Sequence, residues 1–260
     1  MTCIKEVVQV LETWAPPAWA ESHDNVGLLW GDPDSRVEGV LTALEITPGV
    51  LEEAKELNAN LIVVHHPLWY GHRTRLLWDV YADRLIYHLI QAGIAVYAIH
   101  TNADHAPNGV NYGLCEVLGL KPVGFLHATA PSHGIGYIGE LETPIEIWDL
   151  FHLVRERVGV PVIRYAKGKD MLIRRVAVCG GAGSFLLPQA LASGAQAFLT
   201  ADIPYHRFFE AQERIWLADI GHYESEKTIT TTLANLLRTY FPMLPIFVTH
   251  IRTSPISYWI

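Results

Sequence analysis

The sequence lacks the features that mark several large classes of protein. It has only three cysteines, Cys3, Cys115 and Cys179, and they form no CxxC pair. Neither a thiolate zinc site nor a disulfide framework is indicated, so we expect reduced, mostly buried thiols in a cytoplasmic protein. No apolar run approaches the length of a bilayer span, and the first residues show no signal-peptide pattern. We therefore expect no membrane partner.

Positive charge is also scarce. Lys and Arg total 19 against 27 Asp and Glu, which gives a formal net charge of −8. Broad binding to nucleic acid or to an anionic membrane is not expected without a basic excess. The chain is instead apolar, with 50% hydrophobic and 18% charged residues over 260 positions, which suits one large globular domain or two modest ones. Its 13 histidines are a high count, which favours a metal site without locating it.

The stretch that organises the chain is residues 61–67, an apolar run that ends in two histidines and a proline. Its β-branched residues predict a buried strand at 61–66. Pro67 cannot donate to a sheet, so the strand should present His65 and His66 at its carboxyl end, where open α/β sheets bind ligands. Neighbouring strand residues point to opposite faces, so the two imidazoles suit two different centres.

Strands and helices alternate around this stretch. The pattern predicts strands at residues 37–45, 61–66 and 94–100, with helices over about 47–57 and 79–91 between them. This β-α-β-α-β order predicts a largely parallel sheet with its strand ends side by side.

The second half of the chain has a different character. Residues 127–136 are rich in Gly, Ser, Pro and His and predict a linker or exposed loop. A capping box at 143–146 predicts a helix that runs to about residue 158. Further strands are expected near 174–179, 197–202 and 215–220.

We therefore predict an α/β protein of two lobes, each a mainly parallel mixed sheet flanked by helices. The first lobe would comprise residues 1–125 with about 221–260, and the second would comprise about 126–220. The first would carry most of the candidate ligands.

Ligand-type side chains gather at three predicted strand ends. They are His65 with His66, then Asp104, then His222 with Glu226. Taken singly, each has a structural explanation: a hydrogen-bonded strand end, a turn, or a solvated acid in a first helical turn. Taken together, they are too many for one tetrahedral ion and suit two ions that share a carboxylate. Spacing alone leaves the metal and the structural interpretations balanced.

Two further local features lie where helices are expected to begin. The glycine turn at 180–184 follows a strand and precedes a helix. It could bind a phosphate or could simply allow close packing, and it lacks the Gly-Lys-Ser/Thr ending of a P-loop. Ser225 is expected to cap the last helix, with Glu226 in that helix's first turn.

Six segments resemble the Nif-three-like dinuclear metal centre family, whose bacterial members are known as GTP cyclohydrolase type-two homologues. Three of them carry the family's signatures, the match keeps their order over essentially the whole chain, and the length is that of the short members. The segments are residues 65–67, 100–104, 221–226, 24–28, 179–184 and 253–255.

The resemblance implies a ligand set. His65 and Asp104 would hold one metal, His66 and His222 the other, and Glu226 would bridge both. The site would lie between the lobes at strand carboxyl ends, in a toroidal homo-hexamer. The ions would be two divalent metals per chain, and mixed nitrogen and oxygen ligands do not choose among zinc, manganese and iron.

The sequence departs from the family pattern at Glu45, Asn108 and Ala201, none of which is a ligand. His100 and His206 match positions that the family often fills with histidine. Each could orient a ligand or a water, or could be purely structural.

The function implied is metal-dependent hydrolysis of a small anionic or heterocyclic molecule, GTP-like nucleotides included, through a metal-bridging hydroxide. The catalytic residues stay unassigned. The alternative is a non-catalytic metal-binding or regulatory hexamer, and a closed, fully ligated metal pair would favour it over a roomy pocket.

Overall fold

The computed structural model describes residues 2–259, which divide into two compact units. Unit 1 comprises the described residues up to 103 together with 229–255, and unit 2 comprises the rest. Residues 104–125 and 221–228, which the sequence places in the first lobe, are grouped with unit 2. The reason is packing, because the helix at Val110–Leu118 lies against the sheet of unit 2.

Strands and helices of the described chain have the following bounds. The strands are β1 (Gly27–Trp30), β2 (Val40–Ala43), β3 (Leu61–Val64), β4 (Ala95–Ala98), β5 (Lys121–Ala130), β6 (His133–Glu146), β7 (Arg164–Ala166), β8 (Leu172–Val178), β9 (Ala197–Thr200), β10 (Trp216–Asp219) and β11 (Ile246–Val248). The helices are α1 (Ile4–Trp14), α2 (Pro48–Glu56), α3 (Tyr81–Ala92), α4 (Thr101–His105), α5 (Val110–Leu118), α6 (Ile147–Leu153), α7 (Leu187–Ala192), α8 (Tyr205–Ala211), α9 (His222–Glu226) and α10 (Ile229–Tyr240). Short 3-10 turns occur at Pro17–Trp19 and Ser184–Leu186, and α6 continues into a π-helical segment at Val154–Val158.

Unit 1 is built on a five-stranded sheet in the order β1-β4-β3-β2-β11. Strands β4, β3, β2 and β11 are parallel, and β1 pairs with β4 in the antiparallel sense. Strands β2, β3 and β4 are buried along their whole length, as expected for parallel strands with helices on both faces. The predicted β-α-β-α-β alternation is confirmed. Helix α2 begins as predicted, with the Thr47 hydroxyl accepting the Val50 amide at 3.3 Å and Pro48 in the first turn.

Unit 2 is built on a six-stranded sheet in the order β5-β6-β8-β9-β10-β7. Strands β8, β9 and β10 are parallel, and the other pairings are antiparallel. The prediction of a linker at residues 127–136 is wrong, because these residues form the tip of the long β5–β6 hairpin. Cross-strand pairing, which composition does not reveal, overrides the loop signal of Gly and Ser.

Two predicted helix starts are also wrong. Residues 143–146 continue β6, where Ile145 and Glu146 pair with β8, so α6 begins only at Ile147. Ser225 does not cap the last helix, because Gly221, at φ 77°, starts the short helix α9 earlier and leaves Glu226 as its last residue. The local sequence has a capping pattern in both places. Pairing with β8 prevents a helix start at 143–146, and the earlier start of α9 prevents one at Ser225.

The predicted fold class is confirmed: two mixed sheets, each flanked by helices, form the two units. Among residues 2–259, no helix is both long and apolar enough to cross a bilayer.

Candidate metal centre

His65 and His66 follow β3 directly, at the carboxyl edge of the unit 1 sheet. The parallel pairing of Val64 with Ala98 brings the end of β4 beside them. His65 is fully buried, and its Nδ1 lies 2.9 Å from the Ile99 carbonyl oxygen. A carbonyl only accepts, so Nδ1 carries the proton and Nε2 is the basic nitrogen of the neutral ring.

His66 is held by an acid from the neighbouring strand end. Its Nδ1 lies 3.1 Å from Glu45 Oε1, just beyond β2. The other Glu45 oxygen accepts the hydroxyl of Thr253, which is itself buried. The carboxylate therefore fixes the ring and makes Nδ1 the protonated nitrogen.

His100 is held in the same way, by Asp24. Its Nδ1 lies 2.9 Å from both carboxylate oxygens, and Oδ2 also accepts the amide and the hydroxyl of Thr101. Burial raises the pKa of the Asp24 carboxyl, but the hydrogen bonds from His100 and Thr101 outweigh it and lower the pKa to about 2. Asp24 is thus an anion above about pH 2, and it anchors the start of α4.

The three imidazoles of unit 1 converge. The ring centroids of His65 and His66 are 4.9 Å apart, and His100 lies 5.1 Å and 5.2 Å from them. One ligand nitrogen from each lies within 4.8 Å of the others, an arrangement that could hold a metal ion.

Unit 2 carries the remaining candidates, on and near α9. His222 Nδ1 lies 2.6 Å from Asp202 Oδ2, and Nε2 lies 3.1 Å from Glu226 Oε2 one helical turn on. The Glu226 side chain is only 4% exposed. Asp202 adopts φ 49°, a left-handed conformation that aspartate tolerates, and this aims its carboxylate at the ring.

Asp104 lies near the same carboxylate. A ligand oxygen of Asp104 and one of Glu226 are within 4.8 Å of each other. Asn111 Nδ2 donates to the Asp104 main-chain oxygen at 3.0 Å, and Asn111 Oδ1 accepts the Gly180 amide at 2.8 Å. One buried asparagine therefore ties the Asp104 segment to the glycine turn.

The glycine turn is used for packing. Its amide groups donate inside the unit, and the pairs are Gly180 to Asn111, Gly181 to Ser225 Oγ at 3.0 Å, and Gly183 to Thr200 Oγ1 at 2.9 Å. These three N–H groups are therefore already engaged, which opposes the phosphate-binding interpretation. A side chain at Gly181, where φ is 60°, would collide with the Glu226 carboxylate and lie 3.2 Å from His222 Nε2.

Burial also affects the thiol beside this turn. Burial, followed by the charges of Asp104 and Glu226, raises the pKa of Cys179 well above its ordinary value. All three cysteines are free thiols, and Cys115 and Cys179 are buried, as predicted.

The donor set fits divalent metal ions. In all four histidines near the strand ends, Nδ1 faces an oxygen acceptor, so Nε2 is the nitrogen available for coordination. Two carboxylates, one of them buried, complete a set of nitrogen and oxygen donors typical of zinc, manganese and iron.

The structure brings the predicted ligands together in two groups, His65 with His66 in unit 1, and Asp104, His222 and Glu226 in unit 2. His100 joins the first group. His206 does not share this environment, because it lies on an exposed turn of α8 against Tyr205 and Phe209.

Sequence reasoning missed the three acids that hold the imidazoles. In the sequence, Asp24 belongs to a segment that resembles the family, Glu45 is a departure from the family pattern, and Asp202 is the last residue of an expected strand. The available signal was their position beside strands. Asp24 lies shortly before β1, Glu45 lies just after β2, and Asp202 lies just after β9.

Comparisons with known proteins agree on one family. The model of the Duf34/NIF3 (NGG1p interacting factor 3) family matches residues 2–255. A Clostridium perfringens protein named "GTP cyclohydrolase 1 type 2 homolog" is 33% identical over 227 residues, covering 86% of each chain. The crystal structure of Staphylococcus aureus protein SA1388 superposes with a TM-score of 0.92, at 29% identity and 99% coverage of each chain. A Bacillus cereus protein related to NIF3 shares the fold at 22% identity, with a TM-score of 0.92 and coverage of 100% and 99%.

Proposed function

This chain belongs to the Duf34/NIF3 family, and from that membership we propose that it binds two divalent ions and hydrolyses a small heterocyclic or anionic substrate. The observation that carries the proposal is the uniform placement of four imidazoles, each with Nδ1 held by an oxygen. A purely structural role needs no such uniformity, whereas metal coordination through Nε2 does.

The proposed ligands are His65 and Asp104 for one ion, His66 and His222 for the other, and Glu226 for both. Supporting this, Glu226 is buried and lies close to both His222 and Asp104. A buried carboxylate near another acid is costly unless cations neutralise them.

Two divalent ions would supply Lewis acidity, which lowers the pKa of a water and polarises a carbonyl, amidine or phosphoryl oxygen. The chain's own residues would prepare that chemistry. Glu45, Asp24 and Asp202 hold the rings in one tautomer and orientation. His100, with Nδ1 given to Asp24, presents Nε2 as a group that can accept a proton from the substrate.

A cavity beside His66 favours an enzyme over a metal store. It has a volume of about 540 Å³, within the range of small-molecule sites. Its lining is apolar with a few polar groups, and in the described part of the chain it contains no Lys or Arg. The lining residues are Glu45, Ile46, Thr47, His66, Pro67, Leu68, Tyr81, Ala82, Leu85, Thr253 and Pro255. Such a lining suits an uncharged ring better than a polyphosphate, so we favour the heterocyclic substrate class.

Assembly into a hexamer, which the family resemblance implies, is part of the proposal. A short segment of unit 1 supports it, because it exposes several large apolar side chains, and clusters of this kind mark interaction surfaces. They are Tyr70, Leu76, Leu77, Trp78, Val80, Tyr81 and Tyr87. The cytoplasmic location stays a prediction from the free thiols.

The deciding experiment is a screen of phosphorylated and heterocyclic metabolites against protein reconstituted separately with zinc, manganese and iron. We expect turnover of at least one heterocyclic compound with one metal. A panel left untouched by all three forms would favour the non-catalytic assembly.

His66→Ala supplies the matched test once a substrate is found. We expect loss of at least about 100-fold in kcat/KM, as for removal of a group that fixes the reacting centre, with unchanged circular dichroism. The control is His152→Ala, on the exposed side of α6, which should keep full activity. Equal activity in both variants would contradict the assignment of His66.

A further inference from the structure

Unit 2 has a separate cavity that the proposed metal chemistry does not use. It lies between the edge strand β7 and helix α8, with a volume of about 440 Å³. The lining residues are Arg164, Tyr165, Ala166, Lys167, Tyr205, Phe208, Phe209 and Gln212. All of them belong to unit 2.

The walls of this cavity are aromatic and unusually exposed. Tyr205 is 71% exposed, Phe209 58% and Tyr165 46%. The rings of Tyr205 and Phe209 are in edge-to-face contact, with centroids 5.3 Å apart. Exposing several large rings in one place costs free energy in water, so such clusters mark binding surfaces.

The charge of the lining has a single sign. Arg164 and Lys167 are cationic, and none of the lining residues is acidic. The Arg164 guanidinium lies 5.8 Å from the centre of the Phe208 ring, so cation and aromatic surface already adjoin. Lys167 is exposed, and among residues 2–259 the structure shows no ion pair for it. Gln212 adds an amide that can donate and accept.

We propose that this cavity binds a small anionic aromatic molecule. The rings of Tyr205 and Phe209 would stack on its aromatic part, and Lys167 would receive its anionic group, beside an Arg164 that is already paired with Asp219. The volume accommodates one small molecule of this kind. A nucleic-acid strand is the weaker occupant, because the chain carries a net charge of −8 and the cationic lining is confined to two residues.

Lys167 is a cleaner test position than Arg164. Arg164 pairs with Asp219, whose carboxylate also accepts the amides of Ile203 at 3.3 Å and Gly221 at 3.2 Å. Replacing Arg164 would therefore disturb the main chain just before α9. The Lys167 and Phe209 side chains are exposed, and their replacement leaves those bonds intact.

The experiment is a fluorescence titration of the protein with 8-anilinonaphthalene-1-sulfonate, a small anionic aromatic probe. The neutral analogue N-phenyl-1-naphthylamine is titrated in parallel. The variants are Lys167→Gln and Phe209→Ala. The controls are Lys169→Gln, an exposed lysine outside the lining, and Tyr240→Ala, an aromatic residue that is 60% exposed elsewhere.

We expect Lys167→Gln to weaken sulfonate binding at least about fivefold, equivalent to about 1 kcal/mol, and to leave the neutral probe unaffected. Phe209→Ala should weaken both probes, and the two controls should weaken neither. The proposal is overturned if the sulfonate binds both variants as it binds the wild type. It is also overturned if Phe209→Ala changes the oligomeric state in light scattering, since the rings would then belong to an interface between copies.

Discussion

At the scale of single residues, the candidate centre depends on hydrogen bonds that fix which nitrogen of each ring is protonated. Glu45 and Asp202 are not ligands in our proposal, yet each sets the tautomer of a histidine that is. An acid in this position also raises the basicity of the ring that it holds. Replacing one of them should therefore weaken metal binding without removing a ligand.

Glu226 is the residue on which both ions should depend. Glu226→Ala and Glu226→Gln should both lose the two metals, because each removes the shared negative charge from a buried position. Elemental analysis of purified protein measures this directly. Glu116→Ala, on the exposed face of α5, is the control and should keep its metals. Two ions per chain in Glu226→Gln would contradict the assignment of Glu226 as the ligand shared by both ions.

Gly181 should be required for metal binding through Glu226. Gly181→Ala introduces a side chain that collides with the Glu226 carboxylate, and it also strains a left-handed residue by about 1 kcal/mol. Gly194→Ala separates the two effects, since its φ is 74° but nothing lies within 4 Å of the added carbon. We expect both variants to be less stable in denaturant unfolding, and only Gly181→Ala to bind metal more weakly in calorimetric titration. Equal metal affinity would show that Glu226 can move away at no cost.

At the scale of elements, the centre lies where strands end and short helices begin. Strands β3 and β4 are parallel neighbours, so residues that follow them meet at one edge. The short helix α4 then begins on the Asp24 carboxylate, which accepts the Thr101 amide at 3.1 Å. An anion at a helix amino end is stabilising, and this one comes from a distant loop.

Asp24 should make this anchor dependent on pH. Its pKa is lowered from 3.8 to about 2 in the folded protein, so its charge contributes about 2 kcal/mol above pH 4. That contribution is lost as the pH falls from 4 towards 2, where the folded-state carboxyl also protonates. Asp24→Asn should therefore be less stable than the wild type at pH 7, with the difference shrinking below pH 4.

Urea unfolding of chelated protein at several pH values measures that difference. Asp79→Asn, at an exposed position, serves as the matched control and should show no such trend. A difference between Asp24→Asn and wild type that stays constant from pH 7 to pH 2 would rule out the ionised carboxylate as its cause.

At the scale of the whole molecule, each unit contributes only part of the proposed ligand set. His65 and His66 belong to unit 1, and Asp104, His222 and Glu226 belong to unit 2. Ions that bind this set only in the folded protein would add their binding free energy to its stability.

Metal removal should therefore lower thermal stability. At ion concentrations about 100 times the Kd, each ion would contribute about 2.7 kcal/mol, so the two together would contribute about 5 kcal/mol and chelation would lower Tm by roughly 10–20 °C. Differential scanning calorimetry with and without EDTA measures the shift. In Glu226→Gln, EDTA should change Tm by less than about 1 °C, and a full shift in that variant would place the ions elsewhere.

The sequence by itself determined the α/β class, the order of strands and helices in unit 1, and the residues at the strand ends. These follow from local rules, because a buried parallel strand reads as an apolar run and Thr47 marks where α2 begins. Strand β3 ends at Val64, two residues before the predicted end at His66. The five proposed ligands came from the family resemblance added to this pattern.

Only the tertiary structure decided which segments of the chain pair with one another. It turned residues 127–136 into a hairpin, extended β6 through 143–146, and grouped 104–125 with unit 2. It also revealed that Asp24 holds His100 across 76 positions in the chain. The physical reason is the same in each case: strand pairing and buried hydrogen bonds with other segments outweigh the local preferences that a sequence displays.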